Sequence, residues 1–244
     1  MNKSLSIILP VYNERESLSL MIKILNSTLE FNNEIIIVYD HENDNSIPVA
    51  KKLQSQFSNI VLVHNKLGKG VKYALNAGIE KSKYNNILIT AVDEIFPILS
   101  IDKMLTMIVN ENYDFVSGTR YKNGGKRLGG SIIGHLLSRV ANKSFCMITR
   151  FPLSDLTTGI KMFKKDFYKK IEIKTNPVGW VFAFEISIKA YIMNFKIGEV
   201  PLISVDRLFG GESTFKLGRW VIEYLKCYLW GLKKNYIQNK KQVL

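Results

Sequence analysis

The stretch Ser4-Leu5-Ser6-Ile7-Ile8-Leu9-Pro10-Val11, running into Tyr12-Asn13-Glu14, decides the fold. Its apolar run has no in-out alternation, so it predicts a strand covered on both faces, with a polar loop at its end. The same pattern recurs over residues 34–39, 60–64 and 86–91. Between these runs lie helical patterns over residues 17–29, 48–56 and 70–82. In the first of them Leu18, Met21, Ile22, Leu25 and Leu29 share one helix face. Buried strands alternating with helices imply an α/β fold with a doubly wound parallel sheet. Ligands of such sheets bind at the carboxyl ends of the strands. The polar loops after the first, second and fourth strands occupy those ends.

The second half is less regular. Residues 113–118, 161–163 and 199–205 read as strands, and residues 131–148 and 182–193 as helices. A glycine-rich loop, Gly124 to Gly130, precedes the first of these helices, and a polar loop covers residues 206–213. The tail over residues 217–237 places Val221, Leu225, Leu229 and Leu232 at helical spacing. No repeat or linker interrupts the chain. The organisation expected is one domain over residues 1–216 and an amphipathic basic helix over residues 217–244.

Composition narrows the class. A chain of 244 residues with 46% hydrophobic content can bury a substantial core, which excludes wholesale disorder. Cys146 and Cys227 have neither metal-ligand spacing nor a disulfide framework, and His41, His64 and His135 are scattered. Residues 1–5 lack signal-peptide anatomy, and no run reaches the roughly 18 apolar residues of a membrane span. The expectation is a cytoplasmic protein, at most peripheral on the cytoplasmic face of the membrane. A net charge of +13 calls for an anionic neighbour or substrate. Nucleic acid is disfavoured, because no basic-aromatic motif of that class is present.

Two carboxylates stand at strand ends. Asp40 can accept hydrogen bonds from a base or ribose, and Asp93 can bind a divalent cation on a diphosphate. Each alone is also what a turn would use. The dinucleotide fingerprint fails at Tyr73, and neither a P-loop nor a nucleophile elbow occurs.

Taken in order, the motifs are more specific. Leu9 to Glu14, Ile36 to Asp40, Asn65 to Gly70, Ala91-Val92-Asp93 with Pro97, Gly118 to Tyr121, Asp155 to Lys161, Glu199-Val200-Pro201, Asp206-Arg207 and Gly211-Glu212-Ser213 follow one another. This series resembles family-2 glycosyltransferases of the GT-A fold, and among them the polyprenyl- or dolichyl-phosphate mannosyl- and glucosyltransferases. The resemblance spans about residues 4 to 220. It implies a mostly parallel Rossmann-like sheet and an inverting transfer of a hexose from a GDP- or UDP-sugar to a polyprenyl phosphate.

The resemblance also implies roles. Pro10, Tyr12, Glu14, Val38 and Asp40 would hold the nucleoside, and Ala91, Val92 and Asp93 the diphosphate with Mg2+ or Mn2+ on Asp93. Arg120 and Arg207 would face the donor and acceptor phosphates, with Asp155, Thr158, Ser213 and Lys216 on the acceptor side. Arginine suits this task because its planar fork binds two phosphate oxygens. An anionic acceptor needs no general base; for a hydroxyl acceptor, Glu185 and Asp155 are the fallback bases.

The chain departs from the family pattern in places. Ala91 stands where the family's Asp-x-Asp has a carboxylate, and Tyr39 where Val-Asp-Asp has one. A branch with Met-Ala-Asp, Val-Tyr-Asp and a Gly-Gly loop like Gly124 to Gly130 is the closer likeness. Gly134 and His135 replace basic residues expected near the acceptor phosphate.

On the tail, Trp220, Tyr224, Tyr228 and Trp230 precede Lys233, Lys234, Lys240 and Lys241. That order suits an anionic membrane surface, a fold core or a twin subunit in a homodimer equally well. Two further alternatives stand beside the transferase. One is a degenerate module that binds nucleotide sugar or lipid phosphate without turnover. The other is a nucleotidyltransferase, disfavoured because Tyr12-Asn13-Glu14 sits where a glycine- and lysine-rich signature belongs.

Overall fold

In the computed structural model, residues 3–205 and 217–243 are described. The elements run β1 (Ser4–Val11), α1 (Arg15–Thr28), β2 (Asn32–Tyr39), α2 (Ser46–Gln54), β3 (Ile60–His64), α3 (Val71–Lys81) and β4 (Asn86–Ile89). A short 3-10 turn, Phe96–Ser100, leads into α4 (Ile101–Val109), β5 (Phe115–Thr119), β6 (Lys126–Leu128) and α5 (Ile132–Thr149). Then follow β7 (Lys161–Lys164), α6 (Lys165–Lys169), α7 (Val181–Ile192), β8 (Ile197–Pro201), β9 (Ile203–Val205) and α8 (Leu217–Val243).

Seven strands form one sheet in the order β3-β2-β1-β4-β7-β5-β8. Successive side chains of a strand point to opposite faces, and here both faces are covered. Leu5, Ile7 and Leu9 of β1 pack with Ile35 and Ile37 of β2 into one core, which includes Leu18 of α1 and Met104 of α4. Ile8, Ile36 and Val38 enter the other core, with Leu75 of α3, Phe145 of α5 and Phe184 of α7. The unbroken apolar runs are what two covered faces require.

The sheet is not wholly parallel. β7 runs antiparallel to both β4 and β5, whereas β1, β2, β3 and β4 pair in parallel, as do β5 and β8. The single strand expected over residues 199–205 is two strands that part at Leu202. β8 stays in the main sheet, while β9 pairs with β6, inside the region read as a glycine-rich loop. The break has a packing cause: Leu202 is buried against Gly118, where a side chain would collide with it. Helix α4 went unread, although Ile101, Met104, Leu105 and Ile108 form its buried stripe.

β2 and β3 lie on one side of β1, and β4 lies on the other. Strand order therefore reverses between β1 and β4, and the crevice at their carboxyl ends is the expected ligand position. β4 ends two residues earlier than expected, because the chain turns with Glu94 N–H donating to the Ala91 carbonyl. That turn sets Asp93 at the crevice.

Candidate active site

Three loops build one side of the crevice. Asn13 adopts a left-handed φ of 58°, and its N–H donates to both carboxylate oxygens of Asp44, at 3.1 and 3.2 Å. Asp44 also accepts from the Ser46 N–H at 2.8 Å, and the Ser46 hydroxyl accepts from the Glu14 N–H at 2.8 Å. The Tyr12–Glu14 loop is thus fastened to the start of α2. Asp40 accepts from Asn65 Nδ2 at 2.6 Å and from the Gly70 N–H at 2.8 Å. Gly70 has a φ of +108°, and a side chain there would stand 2.9 Å from the Pro177 carbonyl, so glycine is required.

These loops enclose a cavity of about 580 Å³ lined by Pro10, Tyr12, Glu14, Asp40, Ala91, Val92 and Asp93, and also by Lys69 and Trp180. Val38 is absent from this wall. Its side chain is fully buried and packs on α3 opposite Gly78, because the strand's alternation turns it to the core. Its expected donor-binding role is corrected to a packing role.

A second cavity, of about 570 Å³, lies between α5, α8 and the loop before β7. Asp93, Arg120 and Thr158 line it, together with Leu137, Tyr224 and Leu225. Asp93, Ala91, Val71, Gly179, Trp180 and Trp220 line both cavities, so the two meet there.

Arg120 and Asp155 form a buried pair. Arg120 Nε donates to Asp155 Oδ2 at 2.7 Å and Nη2 to Oδ1 at 3.0 Å, the bidentate geometry of a strong ion pair. Asp155 is fully buried and also accepts from the Thr157 and Thr158 N–H groups. Burial alone would raise the Asp155 carboxyl; the Arg120 charge and hydrogen bonds outweigh it and hold the group below the usual carboxylate range. Asp155 therefore orients Arg120 and the Thr157–Thr158 turn; it does not line either cavity. Nor is it placed to serve as a base.

Glu185 is corrected in the same way. It lies buried on α7, pairs with Lys189 at 2.6 Å and accepts from the Lys174 and Thr175 N–H groups. Burial opposes its ionisation, but these bonds keep its carboxyl below the ordinary value. It anchors the loop that carries Pro177 to Trp180. Arg207, Ser213 and Lys216 lie outside the described residues.

Several residues in the site carried no signal read from sequence. Asn142 of α5 accepts from the Leu156 N–H at 2.7 Å and donates to Thr157 Oγ1 at 2.8 Å, which fixes the Asp155–Thr158 turn. Lys161 is fully buried, with Nζ 2.7 Å from Ser117 Oγ and 3.2 Å from the Leu156 carbonyl. Desolvation pulls its ammonium down to about 7 against the raising effect of Asp155.

At the switch point, a crevice carrying Glu14, Asp40, His41 and Lys69 meets a second, more apolar cavity at Asp93. Residues 6–172 match the family described as glycosyl transferase family 2, and the chain belongs to that family. It is 30% identical over 228 residues to the dolichol-phosphate mannosyltransferase of Pyrococcus furiosus, covering 91% of this chain and 61% of that protein. The chain thus spans about three-fifths of that relative's length. It is 24% identical over 230 residues to the polyprenol monophosphomannose synthase of Mycolicibacterium smegmatis, covering 88% of this chain and 86% of that one. In fold it is similar to glucosyl-3-phosphoglycerate synthase from Mycobacterium tuberculosis, solved with Mn2+, UDP and glucosyl-3-phosphoglycerate. The TM-score is 0.73 at 14% identity, over 95% of this chain and 80% of that one. The GT-A fold expected from sequence is therefore shown.

Proposed function

We propose that this chain transfers a hexose from a nucleoside-diphosphate sugar, held in the 580 Å³ cavity, to a polyprenyl phosphate entering the 570 Å³ cavity. The observation that carries this is the meeting, at Asp93, of a crevice carrying Glu14, Asp40 and Lys69 with a second, more apolar cavity. Val140, Val221 and Leu225 line the apolar cavity and are also exposed, so its wall continues onto the outer surface. That arrangement suits an acceptor with an anionic head and a long apolar tail.

In the reaction, an acceptor phosphate oxygen forms a bond to the anomeric carbon as the bond to the diphosphate oxygen breaks. The electron pair leaves with the nucleoside diphosphate, and one in-line displacement inverts the sugar. No proton must be removed, which agrees with Asp155 and Glu185 both being committed to buried ion pairs. Arg120, oriented by Asp155, places positive charge on the acceptor side. Arg207, Ser213 and Lys216 are proposed to add contacts to the same phosphates.

Among the described residues no group of three or more His, Cys, Asp or Glu is clustered for a metal. Magnesium usually takes one or two carboxylates and completes its shell with substrate phosphates and water. The Asp93 carboxylate at the cavity junction fits such a shared ion, Mg2+ or Mn2+, and Ala91 adds none. A bound cation would offset charge on the departing diphosphate.

The relatives' names support a mannosyl donor and a polyprenyl acceptor. An assay of UDP- and GDP-hexoses with a polyprenyl phosphate, with and without manganese, should give an anionic lipid-linked hexose. Transfer only to a glycan hydroxyl would refute the acceptor. Binding without turnover would favour the degenerate module, the reading that Ala91 supports.

A further inference from the structure

We propose that Trp180 and Trp220 form the walls of the hexose subsite, so that α8 contributes directly to sugar recognition. This rests on the two-cavity reading above. In a single displacement the anomeric carbon must lie where donor and acceptor spaces meet. The residues lining both cavities therefore surround the sugar, and two of those six are tryptophans.

Each indole is seated on a glycine. A side chain at Gly159 would come within 2.6 Å of Trp180 Cε3, and one at Gly179 would collide with the Trp220 ring. The supports are themselves held. Gly159 follows the turn fixed by Asp155 and Asn142, and Gly179 ends the loop anchored by Glu185. Both rings remain partly exposed, toward the cavities they line. Rigid, pre-positioned aromatic walls are what a selective pocket needs.

The chemistry matches a sugar better than a base or a lipid chain. A hexose has an apolar C–H face and a rim of hydroxyls. Flat indole surface suits the first, and the Asp93 carboxylate across the same junction suits the second. Ala91 lines the same junction with a single methyl group. The nucleoside end of the donor lies farther along, at Tyr12, Asp40 and the other residues that line only the donor cavity.

Calorimetric titration of the full chain with UDP, UDP-glucose, GDP and GDP-mannose tests this. Trp180→Ala and Trp220→Ala should each weaken the nucleotide sugar that wild type prefers by about tenfold, the loss of one large aromatic contact. They should change the matching nucleoside diphosphate by less than about twofold. Trp180→Phe and Trp220→Phe should recover most of the loss. They also serve as the test if either alanine variant does not fold. Equal loss for diphosphate and sugar would move the indoles to the nucleoside and overturn the proposal. Unchanged affinity in all variants would overturn it as well, with the donor site left standing. Failure of wild type to bind any of the four would refute the donor site itself.

Discussion

At the scale of single residues, Arg120 and Asp155 show how a charged side chain acquires a direction. Guanidinium charge alone would suit any anion. Bonds to a fully buried carboxylate fix the plane of this one at the cavity between α5 and α8. Removing the carboxylate strands a buried cation, so Asp155→Ala should cost about 3–5 kcal/mol at neutral pH, measured by denaturant unfolding. The folded-state pKa of Asp155 is depressed. Its contribution is therefore complete above the unfolded carboxylate value of about 4 and is lost as pH falls through the folded value. The gap between variant and wild type should narrow on acidification; a gap that stays constant would contradict the pairing. Asp40 was legible as a carboxylate at a strand end, and there it bonds Asn65 and the Gly70 N–H, the turn use that such a position also allows. Asn142 and Lys161 were not, because an amide or lysine becomes informative only once its burial and partners are known.

At the scale of elements, α3 and the loop before it wall part of the crevice at the strand ends, through Lys69, Gly70, Val71 and Ala74. The helix lies close on the sheet because residue 78 has no side chain: one there would stand 2.5 Å from Ile8 Cγ2 and 3.0 Å from Val38 Cγ2. Gly78→Ala should overpack this contact, costing about 1–3 kcal/mol by thermal or denaturant unfolding. It should also weaken donor binding, since Gly70 and Val71 at the head of α3 line the crevice. Stability equal to wild type would show that the helix can shift freely. Apolar periodicity found the early helices to within a few residues. It could not find the reversed direction of β7 or the pairing of β6 with β9, because strand direction and partner are set by neighbours remote in sequence.

At the scale of the whole molecule, one surface stands apart. On α5, Ile132, Ile133, Leu136, Val140, Met147 and Ile148 are exposed, with Val221, Ile222, Leu225 and Leu229 on α8 beside it. Among the described residues no helix is long and apolar enough to cross a membrane. Apolar helix faces beside Arg139, Lys143, Lys226 and Lys233 suit the interface of an anionic leaflet. Removing α8 would be a poor test, because Cys227, Gly231 and Asn235 bury its other face. Replacing Ile132, Leu136 and Ile222 together by serine leaves that packing intact. It should weaken partitioning onto phosphatidylserine vesicles by about a hundredfold or more, at about 1–2 kcal/mol per apolar side chain withdrawn from the interface. Unchanged sedimentation would exclude this face, and a wild-type dimer that the substitutions dissociate would assign it to a second copy. The sequence alone determined the α/β class, the order of the strand-end motifs and the family likeness, because periodicity and motif spacing are local properties of the chain. Only the tertiary structure decided which residues face the crevice and which the core. It turned Val38 inward, committed Asp155 and Glu185 to ion pairs, and brought Trp180 and Trp220 to the junction at Asp93. Burial and mutual orientation arise when distant segments pack, and no single segment encodes them.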